Sequence, residues 1–243
     1  MILRDREGIL FIMKTLVPMD EFGIFASAKY EALVDSRFVA DVFDKKHKHV
    51  LRDLKKITEP KSGLSEEFVN NNFKKSEYQD STGRKLPCYF LTRDGFTVLV
   101  MGYLGEKAMH FKELYIRRFN EMEEQIRCLQ SLREQHPQLT DAIKSVHEKP
   151  KFYHYSSEMD MLNKIALGMT AKEFRKLKNI PENKPIRPYM TSYEVALLDR
   201  LQNFDIGFVV AVPDMKQRRQ LLEYQAMKWR ETQNRHTIAL AEN

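Results

Sequence analysis

From Gly105 to Gln135 the chain reads as one helix of about thirty residues, ended by His136-Pro137, and the rest must be arranged on either side of it. Ala108, Phe111, Tyr115, Met122, Ile126 and Leu129 recur at steps of three and four, with Leu114 and Phe119 beside them, which is the period of one apolar helix face. Glu121, Glu123, Glu124, Arg127 and Arg133 fall on the outer turns. A pattern this long is expected to leave its own domain. The first half, Phe111 to Phe119, should pack on the module before it. The second half, carrying Met122, Ile126, Leu129 and Leu132, should pair with the same helix of a second copy, giving a homodimer.

The helix divides the sequence into a mixed leader over 1–23, a compact module over 24–104, the helix itself over 105–135, and a helical module over 150–232. His136 to Lys149 joins the last two. A chain of 243 residues is long enough for two separate cores. With 42% hydrophobic and 30% charged residues it is neither disordered nor fibrous. The expected fold is α+β: a small winged-helix-like N-terminal domain with a β-hairpin, a long connecting helix, and a mostly α-helical C-terminal domain.

Compartment follows from what the apolar runs and cysteines can do. The longest runs, such as Phe208 to Val212, fall far short of the ~20 residues that span a bilayer. The Ile9 to Met13 patch follows Arg4, Asp5, Arg6 and Glu7 and has no small-residue cleavage site after it, so it does not read as a signal peptide. Cys88 and Cys128 stand in unrelated contexts, with no CxxC pair, and read as reduced thiols. Neither they nor the seven histidines show zinc-finger spacing. A cytoplasmic protein with no membrane partner is expected.

Within 24–104, Phe25 to Val34 reads as a short strand. Asp35 or Ser36 then offers an N-cap for a helix with Phe38, Val39, Val42 and Phe43 on its apolar side. After the polar break Asp44-Lys45-Lys46, a second helix runs from Lys46 or His47 to Ile57, with Val50, Leu51, Leu54 and Ile57 on one face. Helix, short turn, amphipathic helix is the outline of a helix-turn-helix. Asn72 to Tyr78 and Arg84 to Leu91 flank Gln79-Asp80-Ser81-Thr82-Gly83 and read as a hairpin, with Pro87 at an edge or bulge. Thr92 caps a helix from Arg93 to Met101.

The second of these helices carries the charge. A net charge of +6 is weak evidence of a polyanionic partner; its placement is stronger. Asp44 to Lys56 holds six Lys or Arg against two Asp, plus His47 and His49. Lys48, Arg52, Lys55 and Lys56 fall opposite the apolar face. Cations in a groove release counterions from phosphates, and arginine pairs bidentately with a guanine edge. Double-stranded DNA is therefore the expected partner. Arg52 would contact a base, Lys45, Lys46, Lys48, Lys55 and Lys56 would contact phosphates, and His47 and His49 would donate to phosphates or pack under the turn. Lys74, Lys75, Arg84 and Lys85 on the hairpin would lie along the backbone as a wing. A solvated helix face and hairpin would carry the same charges.

The run Val34 to Phe43, followed by Lys46 to Leu54, resembles the opening motif of the phage regulatory protein Rha family. Tyr89 to Phe96 is similar to it as well, and so are Gly102-Tyr103, Gly105 to Ala108 and Phe111-Lys112-Glu113, in the family's order. The resemblance covers roughly residues 33 to 122. It implies a phage or prophage regulator with a presumed DNA-binding role, and no catalytic residues.

In the C-terminal module, Ser157 starts a helix through Met159, Leu162, Ile165, Ala166 and Leu167 that stops at Gly168. Thr170 to Glu173 and Thr191 to Glu194 are capping-box sequences; the first starts a helix with Phe174, Leu177 and Ile180, the second one with Val195, Leu198 and Leu201. Asp214 caps a last helix to Trp229. Around Tyr155 to Glu158 and Leu167 to Thr170 the module resembles C-terminal regions of phage regulators and antirepressors. Lys172, Arg175, Lys176 and Lys178 form either a second nucleic-acid surface or a wet helix face.

No P-loop, GxGxxG, HExxH or GxSxG sequence occurs. Asp35, Asp41 and Asp44 suggest a nuclease cluster only weakly, since Asp35 and Asp44 suit helix boundaries. No catalytic residue, metal or cofactor is expected. Two functions stay open: a DNA-binding transcriptional regulator, and an antirepressor-like module that binds a host or phage regulatory protein instead.

Overall fold

The computed structural model describes residues 15–241, so the Ile9 to Met13 patch and most of the leader lie outside the described residues. The chain packs as two units, one to Ile126 and one from Arg127. The fold is α+β, with an antiparallel sheet and helices first, a long helix next, and helices alone after it.

Among the described residues the N-terminal unit is built on five strands in the order β1-β2-β3-β5-β4: β1 Thr15–Val17, β2 Ile24–Ser27, β3 Ala32–Asp35, β4 Phe73–Gln79 and β5 Lys85–Leu91. The stretch expected to be one strand from Phe25 to Val34 is a hairpin. Ser27 Oγ accepts from the Lys29 and Glu31 amides, and Tyr30 takes φ 62°, so the chain reverses without a glycine. Ile24, Phe25, Leu33, Val34 and Leu91 are buried at the sheet's centre.

Asp35 ends β3 and caps α1 (Ser36–Val42), accepting from the Arg37 amide at 2.8 Å. A four-residue turn leads to α2 (His47–Thr58), whose buried residues are Val50 and Leu54. Between α2 and the hairpin the chain adds a turn at Pro60–Ser62 and a helix not anticipated, α3 (Glu66–Asn72), capped by Ser65. After β5, Thr92 caps α4 (Arg93–Val100). Gly95 is needed there: a Cβ on it would meet the Asn72 carbonyl oxygen at 2.4 Å, the same oxygen that accepts from the Thr92 amide. Tyr115 and Phe119, from the first half of the long helix, close this core as expected. Phe96 stacks on Tyr115 at 4.6 Å, and the Tyr115 hydroxyl donates to the Phe22 carbonyl at 2.7 Å.

That helix, α5 (Glu106–Ser145), does not end at His136-Pro137 but runs through Pro137. A proline inside a helix forfeits one amide and crowds the carbonyl four residues back. Here burial of Leu139, Ala142 and Ile143 holds the following turns in the helix, and the Leu132 carbonyl accepts from Gln202 Nε2 at 3.0 Å. Met122, Ile126, Leu129 and Leu132, expected to face a second copy, are at most 7% exposed in the single chain. The single chain's own packing thus covers the stripe expected at the seam.

The rest of the C-terminal unit is α6 (Phe152–Leu167), α7 (Ala171–Lys178), α8 (Ser192–Ala211) and α9 (Met215–Ala241). Helix α6 begins before Ser157, at Phe152 with Lys151 as its N-cap, and is closed by Gly168 at φ 74°. Both capping boxes form, with Glu173 and Glu194 reaching back to the Thr170 and Thr191 amides at 2.7 Å. Helix α7 stops at Asn179 in the left-handed region, before Ile180, and α9 continues past Trp229.

Candidate nucleic-acid interface

The start of α1 anchors α2. Arg37 is buried against Asp35, its Nε donating to both carboxylate oxygens at 3.0 and 3.1 Å, and its guanidinium lies 4.1 Å over the Tyr78 ring of β4. Burial works against that charge, but the Asp35 hydrogen bonds prevail and hold Arg37 above its usual pKa. Between them, Ser36 Oγ accepts from the Tyr89 amide of β5 at 3.0 Å and lies 3.0 Å from His47 Nε2, at the first residue of α2. Burial holds His47 below its ordinary pKa, so near neutrality the ring is uncharged and Nε2 can accept from the serine hydroxyl. One serine thus ties together α1, the hairpin and the start of α2.

Held this way, α2 turns its other face outward. Lys46, Lys48, Arg52, Lys55 and Lys56 are all exposed. Among the described residues, none of these four lysines has a carboxylate within salt-bridge distance; Arg52 lies 3.8 Å from its neighbour Asp53 with its side chain 64% exposed. His49 is half-buried beside them.

Of the remaining residues expected at the interface, His47, Lys45, Lys74 and Arg84 have internal partners, and among the described residues Lys75 and Lys85 do not. His47 points inward to Ser36, as one of the two readings of it allowed. The Lys45 ammonium sits 4.2 Å from the Tyr103 ring centroid, an internal cation–π contact. Lys74 pairs with Glu31 at 3.0 Å. Arg84 pairs with Asp80 at 2.8 Å across the hairpin turn, where Asp80 also accepts from the Thr82 and Arg84 amides. Lys75 and Lys85 are exposed. Lys74 and Lys75 lie opposite Phe90 and Tyr89 at the foot of the hairpin, roughly 15 Å from its turn, whereas Lys85 and Arg84 are at the distal end. Sequence reasoning missed Ser36 and Arg37 as the fixings of α2. Only the position of Ser36 next to a helix cap gave any hint of them.

The model of the family described as "Phage regulatory protein Rha" matches residues 34–124, the stretch from the end of β3 into α5. This stretch matches the Rha family of phage regulatory proteins. The matched segment contains α2, the hairpin and their anchoring network. Three proteins are similar over longer spans. An uncharacterized protein of Haemophilus influenzae is 37% identical over 115 residues, 47% of this chain and 64% of that protein. The SPbeta prophage-derived protein YoqD of Bacillus subtilis, named as a candidate antirepressor, is 30% identical over 146 residues, 59% of this chain and 54% of YoqD. An uncharacterized 22.8 kDa protein from the gp15–gp3 intergenic region of Salmonella phage P22 is 35% identical over 121 residues, 47% of this chain and 58% of its own. The chain thus spans between about half and two thirds of the length of these relatives.

Proposed function

We propose that this chain is a phage regulatory protein that binds double-stranded DNA in the cytoplasm of a bacterial host, with α2 entering the major groove and the β4–β5 hairpin flanking it. The observation that carries the reading is the cationic face of α2, held outward by the packing of its opposite face and left without carboxylate partners along its lysines. Two features support it. The turn between α1 and α2 suits a helix-turn-helix, and strands β3-β5-β4 stand in the order of a winged-helix sheet, with α3 added before the wing. Arg52 would read a base; Lys46, Lys48, Lys55 and Lys56 would hold phosphates.

The test is duplex binding by the Lys48→Ala, Arg52→Ala double variant. Both side chains are solvent-facing, so folding should be intact. Two lost cations should weaken binding at least about tenfold at low salt, and loss of Arg52 should relax sequence preference by ~1–3 kcal/mol. Wild-type protein without duplex affinity at low salt would refute the reading.

A second reading, an antirepressor-like module that binds a host or phage regulatory protein, is favoured by the name of the prophage relative. It is also favoured by an apolar surface on the C-terminal unit.

A further inference from the structure

Where α5 ends and α6 and α9 begin, the C-terminal unit has a cavity of about 240 Å³. Ile143, Val146, Tyr153, Val209, Pro213 and Met215 form its apolar wall. A second wall is flat: His147 and His154 stack at 3.8 Å with 14° between their planes. His154 is fixed in place because its Nδ1 accepts from the Lys151 amide at 3.1 Å. Its polar lining includes the buried Glu158–Arg218 pair, joined at 2.7 Å, with Arg218 also donating to the Val212 and Pro213 carbonyls at 2.9 Å. Those groups satisfy one another and leave the space to apolar contact.

The mouth is open and apolar. Tyr153, Val146 and Met215 are 55%, 37% and 36% exposed, and Phe152, next to Tyr153 in sequence, is 84% exposed. Clustered exposed apolar residues with a polar rim mark a protein-binding surface rather than ordinary scatter. A cavity of roughly 150 Å³ already accepts benzene, so this one suits a phenyl or indole side chain and is small for a drug-sized ligand.

The charge at the rim says what should carry that ring. Lys149, Lys151 and Lys216 are exposed beside the lining residues. Of the nearby acids, Glu158 is neutralised by Arg218, whereas Asp214, which accepts from the Lys216 amide as the cap of α9, keeps its charge. Three lysines thus stand against Glu148 and Asp214 among these flanking positions, which leaves one positive charge in excess.

We propose that this cavity is the docking site for an aromatic side chain projecting from an acidic segment of a partner protein. The proposal deepens the second reading above and does not depend on DNA binding by α2. Loss of duplex affinity in the Lys48→Ala, Arg52→Ala variant would leave it untouched, and its own failure would leave the DNA reading standing.

The experiment is methyl NMR of the full chain titrated first with indole and then with two tripeptides, acetyl-Glu-Trp-Glu-amide and acetyl-Lys-Trp-Lys-amide. Saturable shifts are expected at Met215, Val146 and Val209, with low-millimolar affinity for indole. The acidic peptide should bind at least about threefold more tightly than the basic one at low salt. Val209→Trp should fill the cavity and abolish the shifts. Val146→Glu, at the solvent-facing mouth and safe for folding, should weaken the acidic peptide preferentially. No saturable shift, or equal affinity for the two peptides, overturns the proposal. So does a wild-type dimer in sedimentation that Val146→Glu converts to monomer, because a second copy would then be the occupant.

Discussion

In the N-terminal unit a buried guanidinium, Arg37, meets one carboxylate, Asp35; in the C-terminal unit a buried guanidinium, Arg218, stands among two, Glu158 and Asp205. Asp35 uses its carboxylate twice, on Arg37 and on the α1 amide, and leaves nothing over. Asp205 is fully buried 4.0 Å from Arg218 Nε, and among the described residues neither of its oxygens has a hydrogen-bond donor. Burial first, and the neighbouring Glu158 second, push its carboxyl up to about 8. A proton on Asp205 turns an acceptor into a donor toward Glu158 and removes the surplus charge. The units also differ outside: the first presents unmatched lysines, the second an open apolar cavity. One unit has settled its charge inside and offers charge outside. The other carries its electrostatic tension within and offers apolar surface.

The sharpest way to break that contrast is to remove each cation. Arg37→Met leaves one buried carboxylate that still caps α1, and should cost about 3 kcal/mol. Arg218→Met leaves two carboxylates and frees the Val212 and Pro213 carbonyls, and should cost about 5 kcal/mol. Amide exchange at Leu33 and Leu91 reads the first variant. The fluorescence of Trp229, the single tryptophan, packed 4.7 Å from Tyr193, reads the second in urea. Equal losses would mean that Asp205 and Glu158 do not compete for Arg218.

The next effect is one of pH. An acid raised in the folded state binds its proton more tightly there than in the unfolded chain. Its contribution is therefore fully present below about pH 4 and is lost as pH rises to about 8. At about 1.4 kcal/mol per pKa unit, the loss has an upper bound of about 6 kcal/mol. Asp205→Asn cannot ionise, so the midpoint of Trp229 unfolding should stop declining across that range, and the variant should be the more stable at pH 8. An Asp205→Asn variant that keeps the wild-type slope would place the proton elsewhere.

What could be read in the sequence was whatever a few adjacent residues decide. Asp35 as a cap, the apolar stripe Val50, Leu54 and Ile57, the Asp80–Gly83 turn and both capping boxes rest on contacts within four residues, and all were legible. The strand pair Ile24–Asp35 was not, because its turn relies on Ser27 and Tyr30 rather than glycine or proline. Pro137 misled for the opposite reason: a strong local stop is overridden by burial of Leu139 and Ile143. The candidate site divides the same way. The outward face of α2 follows from helical period. The inward commitments of His47 to Ser36 and Lys74 to Glu31 join residues 11 and 43 positions apart, which no local pattern reveals.

The smallest effect concerns the hairpin, and it tests whether the N-terminal unit offers charge only through α2. Four basic residues there looked equivalent, but their partners differ. Lys74 is paired with Glu31 and Arg84 with Asp80, whereas Lys75 and Lys85 have no carboxylate within salt-bridge distance among the described residues. Each phosphate contact contributes a slope of about −0.9 when log affinity is plotted against log salt. If the distal hairpin touches DNA, Lys85→Ala should make the slope shallower by about one unit without altering sequence preference. Lys74→Ala should leave it unchanged, since that ammonium is held by Glu31 on the sheet. Lys75→Ala separates the two ends of the hairpin, because that residue is uncommitted yet lies at the foot. A change for Lys85 alone would mean that only the distal end follows the phosphate backbone, and a change for Lys75 alone would put the foot against it. Unchanged slopes for both would confine the interface to α2.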